Sequence, residues 1–255
     1  MRTVIKIGTS TLTHENGSVN LRRFESICRI ISDILNSGDE IILVSSGAIG
    51  MGVSKLGLRS RPSDIAGKQA CAAVGQCELM YEYDKLFGEY NHTVAQILLT
   101  APDLSCDDRS EKFQNTVEKL LEFGVLPIIN ENDTVATEEI VFGDNDTLAA
   151  KVAVTVSADL LILLSDIDGL YTADPHKNTD ATLISEVKEL TDEILALAGD
   201  AGTSRGTGGM ETKLRAAKIA TEAGCDMIIA NGASPEILYD IVEGKPVGTK
   251  FFAKK

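Results

Sequence analysis

Val4-Ile-Lys-Ile-Gly8 and Ile41-Ile-Leu-Val-Ser-Ser-Gly47 bracket a helical segment, and the reading of this one unit decides the fold. Between them Leu21, Phe24, Cys28, Ile31 and Leu35 recur at i, i+3, i+7, i+10 and i+14, the spacing of one helix face, and Gly38 supplies the stop. Each flanking run is apolar without alternation, as suits a strand covered on both sides. Strand, helix, strand in this order is a crossover unit whose strands run parallel.

The pattern continues along the chain. Apolar runs stand at 94–99, 125–129, 160–164 and 227–230, and helical periodicity fills 64–83, 110–123, 144–156, 211–223 and 235–242. The expected architecture is α/β, a three-layer α-β-α sandwich with an open, mostly parallel central sheet. Repeats, low-complexity tracts and a Pro/Ser-rich linker are all missing, so residues 1–255 are expected to form a single domain. The polar stretch 134–144 reads as a small hairpin or a lid.

Composition narrows the function. With 38 Asp and Glu against 24 Lys and Arg, the 255 residues carry a formal charge of −14, the wrong sign for coating nucleic acid or an anionic membrane. An anionic ligand must therefore meet a local pocket of lysines and backbone N–H groups. Cys28, Cys71, Cys77, Cys106 and Cys225 are odd in number and contain no C-x-x-C pair, which supports neither a disulfide framework nor a zinc ribbon. A reducing, cytoplasmic setting is expected, with no apolar leader at the N-terminus and no run near the roughly 18 residues of a membrane span.

In an open parallel sheet, ligands bind beyond the carboxyl ends of the strands. Gly8-Thr-Ser-Thr11 follows the first strand, with Lys6 two residues earlier, and Ser45-Ser-Gly-Ala-Ile-Gly-Met-Gly52 follows the second. Either stretch can be a tight turn before a helix; together they form a candidate anion cradle. Gly206-Thr-Gly-Gly-Met-Glu-Thr-Lys213 opens a later helix, where a lysine near the positive end of the dipole is unfavourable unless an anion sits nearby. The common nucleotide fingerprints fail, since neither G-x-x-x-x-G-K-[ST] nor G-x-G-x-x-G occurs at these glycines. Asp166-Ile-Asp168-Gly169 begins like a calcium loop but puts Leu170 where an oxygen ligand is needed. His14, His92 and His176 are too scattered for a zinc centre or a Ser-His-Asp triad. Asn130-Glu-Asn-Asp-Thr134 and Gly143-Asp-Asn-Asp-Thr147 read either as turn and cap chemistry or as polar groups facing the cradle.

Taken in order, seven segments resemble the amino acid kinase superfamily over essentially the whole chain. They are Lys6-Ile-Gly-Thr-Ser10, Val44-Ser-Ser-Gly-Ala-Ile-Gly50, Lys68-Gln-Ala-Cys-Ala-Ala-Val-Gly-Gln76, Asn130-Glu-Asn-Asp-Thr-Val135, Phe142-Gly-Asp-Asn-Asp146, Ser165-Asp-Ile-Asp-Gly-Leu-Tyr171 and Gly206-Thr-Gly-Gly-Met-Glu-Thr-Lys213. The Asn130 and Phe142 segments are the most specific, to the branch that acts on glutamate. The resemblance implies ATP-dependent phosphorylation of the γ-carboxylate of L-glutamate, the first step of proline biosynthesis, with Mg²⁺ held by phosphate and water rather than by side chains. It implies a glutamate-binding N-terminal part and an ATP-binding C-terminal part. Many members continue into a C-terminal PUA domain, which is not expected here.

By the same resemblance Lys6, Asp146 and Lys213 are the catalytic residues. Lys6, Gly8, Ser165, Asp166, Thr207, Gly208, Gly209, Met210, Glu211, Thr212 and Lys213 contact ATP, and Ser46, Gly47, Asp133 and Asn145 contact glutamate. A homo-oligomer, dimer or tetramer, and functional coupling to glutamate-5-semialdehyde dehydrogenase are also implied. Kinases of the same superfamily acting on aspartate, N-acetylglutamate, carbamate or a nucleoside monophosphate stay open, as does a non-catalytic nucleotide or amino acid sensor.

Overall fold

A computed structural model of the chain describes residues 1–14, 18–135, 145–175, 177–197 and 209–254. In chain order these form β1 (Arg2–Ile7), α1 (Thr9–Leu12), α2 (Leu21–Asn36), β2 (Glu40–Ser45), α3 (Ala48–Lys55), α4 (Ile65–Gly88), β3 (Thr93–Leu99), α5 (Ala101–Ser105), α6 (Asp107–Glu122) and β4 (Val125–Glu131). There follow α7 (Asn145–Thr155), β5 (Leu160–Ser165), β6 (Leu170–Tyr171), β7 (Leu183–Ile184), β8 (Glu186–Val187), α8 (Asp192–Ala196), α9 (Met210–Glu222), β9 (Asp226–Asn231), α10 (Ile237–Val242) and β10 (Thr249–Phe251). The main sheet has the order β3-β4-β2-β1-β5-β9-β10-β8, and its pairs are parallel except β9 with β10.

Strand alternation sorts the core into two layers. Val4 of β1, Ile42 and Val44 of β2, and Leu161 and Leu163 of β5 pack with α6, α7 and α9. Their neighbours Ile5, Ile7, Ile41, Leu43, Leu160, Ile162 and Leu164 pack with α2, α4 and α10. Successive side chains point to opposite faces, so Lys6 shares the face of Val4 and looks toward α7 and α9. It stands in register between Val44 and Leu163, in the middle of an apolar sheet.

Helix α2 begins where Asn20 Oδ1 accepts from the N–H of Arg23 at 3.1 Å, and it ends at Gly38, whose φ of 99° favours glycine. Its buried stripe runs through Phe24, Ile27, Cys28, Ile31 and Ile34, whereas Leu21, read above as part of that stripe, is 61% exposed in the first turn.

The Gly-rich stretch after β2 is also a correction. Only Ser46 and Gly47 form a turn there; Gly50 and Gly52 lie inside α3. Gly52 serves packing: a Cβ on it would stand 1.8 Å from the carbonyl oxygen of Cys71, and one on Gly75 would stand 1.8 Å from that of Ala48. The two glycines let α3 and α4 touch backbone to backbone. The short strands β6, β7, β8 and β10 have too few residues to show a period. The stretch read as a hairpin or lid falls, from residue 136 onward, outside the described residues, as does His176. His14 is exposed and His92 half-buried in a loop.

Gly75→Ala is expected to destabilise the protein by roughly 2 kcal/mol or more, because backbone rather than a movable side chain must give way. Gly88→Ala, at a helical glycine with open space around it, is expected to be neutral or stabilising by up to about 1 kcal/mol. Urea unfolding of the two variants beside the wild type measures both.

Candidate active site

The strands β4, β2, β1 and β5 are parallel neighbours, so the segments that follow them meet along one edge of the sheet in that spatial order. Asn130 and Asp133 come from β4 and its turn, Ser46 and Gly47 from β2, Gly8 from β1, and Ser165 and Asp166 from β5. The connection from β1 leads to β2 on one side and that from β5 to β9 on the other, which opens a crevice between β1 and β5.

Two helices close the crevice from the face of Lys6. Helices α7 and α9 meet through small residues, Ala149, Ala150 and Ala153 on one and Ala216, Ala217 and Ala220 on the other, all buried. Small side chains let the axes approach closely. That approach sets Asp146, in the first turn of α7, against Lys213 of α9. Lys6 Nζ lies 2.6 Å from Asp146 Oδ1, and Lys213 Nζ donates to Asp146 Oδ2 at 3.1 Å. The hydroxyl of Thr212 donates to the same Oδ2 at 3.0 Å and lies 2.8 Å from the carbonyl oxygen of Gly209. All three charged residues are buried, Asp146 to 1% exposure. Burial pushes the Asp146 carboxyl up, but the ammonium groups of Lys6 and Lys213 outweigh it and hold the group well below the usual carboxylate range.

Beside Lys213 an open pocket runs between the end of β5 and the start of α9. Ser165, Asp166, Tyr171, Asp174, Met210 and Lys213 are among its walls. One of its lining residues is the lysine that pairs with Asp146.

On the other side of Lys6, Asn145 Nδ2 donates to Ser46 Oγ at 2.8 Å and to Asn130 Oδ1 at 2.9 Å. Asn130 Nδ2 donates in turn to Gln76 Oε1 at 2.9 Å. Gly47 turns the chain into α3 with a φ of 111°. Asp133 sits at the same sheet edge and shares no hydrogen bond with Ser46 or Asn145 among the described residues. Burial pushes its carboxyl up to about 6, against a smaller opposing pull from Arg61.

The expected ATP contacts therefore divide. Ser165, Asp166, Gly209, Met210 and Lys213 line the pocket. Thr212 turns to Asp146 instead, and Glu211 is paired with Arg215 at 3.1 Å in solvent. The N–H of Gly8 donates to the Leu164 carbonyl at 3.3 Å, closing the β1–β5 ladder, so the donors left open at that turn are the first-turn amides of Thr9 and Ser10. Thr207 and Gly208 lie outside the described residues. Asn130 and Gln76 were not expected at the site, although both fall in segments that carry the family resemblance. Among the described residues no three His, Cys, Asp or Glu side chains converge where an ion could sit.

Comparison with known proteins shows the family and the fold. The profile of the Amino acid kinase family matches residues 1–231, and the chain belongs to that family. Among its relatives is the glutamate 5-kinase of Clostridium perfringens (strain 13 / Type A), 57% identical over 258 residues that span 100% of this chain and 96% of that one. The glutamate 5-kinase of Carboxydothermus hydrogenoformans is 55% identical over 255 residues, 100% of this chain and 68% of its own length. Two solved structures share the fold. Carbamate kinase from Giardia lamblia bound to AMP-PNP aligns with a TM-score of 0.71 at 17% identity, covering 99% of this chain and 98% of that one. Isopentenyl phosphate kinase aligns at 0.67 and 18% identity, covering 98% and 100%.

Asp146→Ala removes the carboxylate that two buried ammonium groups share and is expected to cost about 3–5 kcal/mol of stability. Combining Lys6→Met, Asp146→Leu and Lys213→Met is expected to recover most of that loss while abolishing activity. Urea unfolding across the single and combined variants measures the coupling.

Proposed function

We propose that the chain transfers the γ-phosphoryl group of ATP to the γ-carboxylate of L-glutamate, giving L-glutamyl 5-phosphate and ADP. The observation that carries the reading is the double role of Lys213, which lines the pocket and shares Asp146 with Lys6. The identity to glutamate 5-kinases along the whole chain supports glutamate as the acceptor, which makes this the first step of proline biosynthesis.

The acceptor needs no general base, because a glutamate side chain with a pKa near ~4.3 is ionised at neutral pH. One carboxylate oxygen attacks the γ-phosphorus, the bond to the β-γ bridging oxygen breaks, and ADP departs. The difficulty is electrostatic, since an anion must approach a polyanion. Each lysine ammonium has three N–H groups and directs one to Asp146. The two ammonium groups share that one carboxylate and are buried where the equatorial oxygens gain charge in the transition state. Asp146 orients both lysines and touches neither substrate. Mg²⁺ arriving with the nucleotide would supply further neutralisation of the phosphates.

The N-terminal half, with Ser46, Gly47, Asp133 and Asn145, takes glutamate, and Asp133 pairs with its α-ammonium group. The C-terminal half takes the nucleotide, within one domain. The acyl phosphate is labile, so the next enzyme, glutamate-5-semialdehyde dehydrogenase, works in close functional coupling. The family resemblance supports a dimer or tetramer. No described helix is long and apolar enough to cross a membrane, and a cytoplasmic setting fits the metabolite chemistry.

Acyl phosphate trapped with hydroxylamine is expected from L-glutamate with ATP and not from aspartate, N-acetylglutamate, carbamate or a nucleoside monophosphate. ATP binding without turnover on any of them would instead mark a sensor. Lys213→Ala is expected to lower kcat by roughly 100-fold or more and to move the KM for glutamate far less; unchanged turnover would remove it from the reaction.

The Asp133 carboxyl must be ionised to meet an ammonium group. The KM for glutamate is therefore expected to climb as pH falls through about 6, and this dependence should vanish in Asp133→Asn, whose KM is high throughout. Steady-state kinetics from pH 5 to 8 ~ tests it, with a flat wild-type profile as the contrary result.

A further inference from the structure

The amide side chains beside Ser46 have a polarity set by the backbone. The N–H of Glu131 donates to Asn130 Oδ1 at 2.9 Å, and because a backbone N–H can only donate, that atom of Asn130 is an oxygen. Asn130 is 2% exposed, so its orientation is held by packing as well. Its nitrogen then faces Gln76 and requires the Gln76 oxygen there, at 2.9 Å. In the other direction, Asn130 Oδ1 also accepts from Asn145 Nδ2, which in addition faces Ser46 Oγ and, at 3.5 Å, the Ser45 carbonyl oxygen. A carbonyl can only accept, so the Asn145 assignment has its own backbone anchor.

The chain of amides therefore ends in opposite chemistry. At one end Asn145 turns its carbonyl oxygen away from the network. At the other end the NH₂ of half-buried Gln76 has no hydrogen bond to a described residue. Asn145 is next to Asp146 and so is the end of the amide chain nearer the lysine pair. Gln76 reaches the site through β4, two strands from β1, or ~10 Å at the usual strand spacing. An amino acid with its side-chain carboxylate at Lys6 has its α-carbon end toward β4.

We propose that Gln76 is a further substrate-binding residue, whose side-chain NH₂ donates to the α-carboxylate of the acceptor amino acid. The inference rests on the glutamate reading above. Gln76 is neutral, so it recognises the carboxylate by a directed hydrogen bond and leaves the positive charge of the site concentrated at the lysines.

Gln76→Glu keeps an oxygen toward Asn130 but replaces the donor with a charged oxygen, whereas Gln76→Ala removes both contacts. If Gln76 binds the α-carboxylate, the KM for glutamate rises roughly 10- to 100-fold in Gln76→Glu and by less in Gln76→Ala, with kcat and the KM for ATP nearly unchanged. L-Isoglutamine keeps the γ-carboxylate and carries an amide in place of the α-carboxylate. The wild-type preference for glutamate over isoglutamine should shrink in Gln76→Ala and shrink further or invert in Gln76→Glu.

A Gln76→Glu enzyme with wild-type KM beside an impaired Gln76→Ala would mean that Gln76 only braces Asn130, and would overturn the inference. So would an unchanged preference in Gln76→Ala, which reads the contact even if Gln76→Glu fails to fold. Wild-type enzyme that gives no hydroxamate with glutamate would overturn the glutamate reading first and this inference with it, a result distinct from failure at Gln76 alone.

Discussion

One buried carboxylate shared by two ammonium groups is the constraint on which the rest of the site depends. Lys6, Asp146 and Lys213 come from three distant segments, and each would be costly to bury alone. Brought together, the two ammonium groups share the one Asp146 carboxylate, which offsets the cost of burying each charge. The same two cations then stand where an arriving phosphoryl group brings negative charge. The overall charge of −14 does not oppose this, because the cations that matter are enclosed and act over a few ångströms, far inside the range at which surface acids are screened by salt.

The sheet acts as a ruler for the chemistry. Parallel pairing sets the carboxyl ends of β4, β2, β1 and β5 side by side, so amides, a hydroxyl, a lysine and an open pocket follow one another along a single edge. Alternation within β1 then decides which layer of helices Lys6 meets. A shift of one residue in that strand would turn Lys6 into the α2 and α4 layer, among isoleucines, and remove it from Asp146.

Much of this was legible before any coordinates. The unalternating runs at β1, β2, β4 and β5 announced a sheet covered on both faces, and the out-of-place charge of Lys213 near a helix start pointed to a nearby anion, which is Asp146. Glycines misled where their use was ambiguous. Gly50 and Gly52 look like a phosphate loop in one dimension, yet Gly52 answers a backbone contact with a helix that starts at Ile65, which no local pattern reveals. Gly8 was expected to offer its amide to phosphate and spends it on Leu164, because ladder closure depends on a neighbouring strand about 150 residues away in sequence. The direction of the amide chain through Gln76, Asn130 and Asn145 was also out of reach. Which end of an amide faces which partner depends on a backbone N–H and a backbone carbonyl whose positions exist only in the folded chain.

Asn145 and Asp146 explain why the two halves of the site stay in register. Consecutive residues in a helix point about 100° apart, so the first turn of α7 directs one side chain to the amide network beside Ser46 and the next to the lysine pair. The acceptor side and the phosphoryl side are thus tied to the same rigid turn, with no hinge between them. An attacking oxygen and a phosphorus atom must be held within a few tenths of an ångström of their reactive separation for proximity to lower a barrier. A single helix start that anchors both neighbours provides that precision through covalent geometry. The Ala-rich contact between α7 and α9 extends it to Lys213, so the packing of small residues far below the cleft fixes where the transferred charge is met.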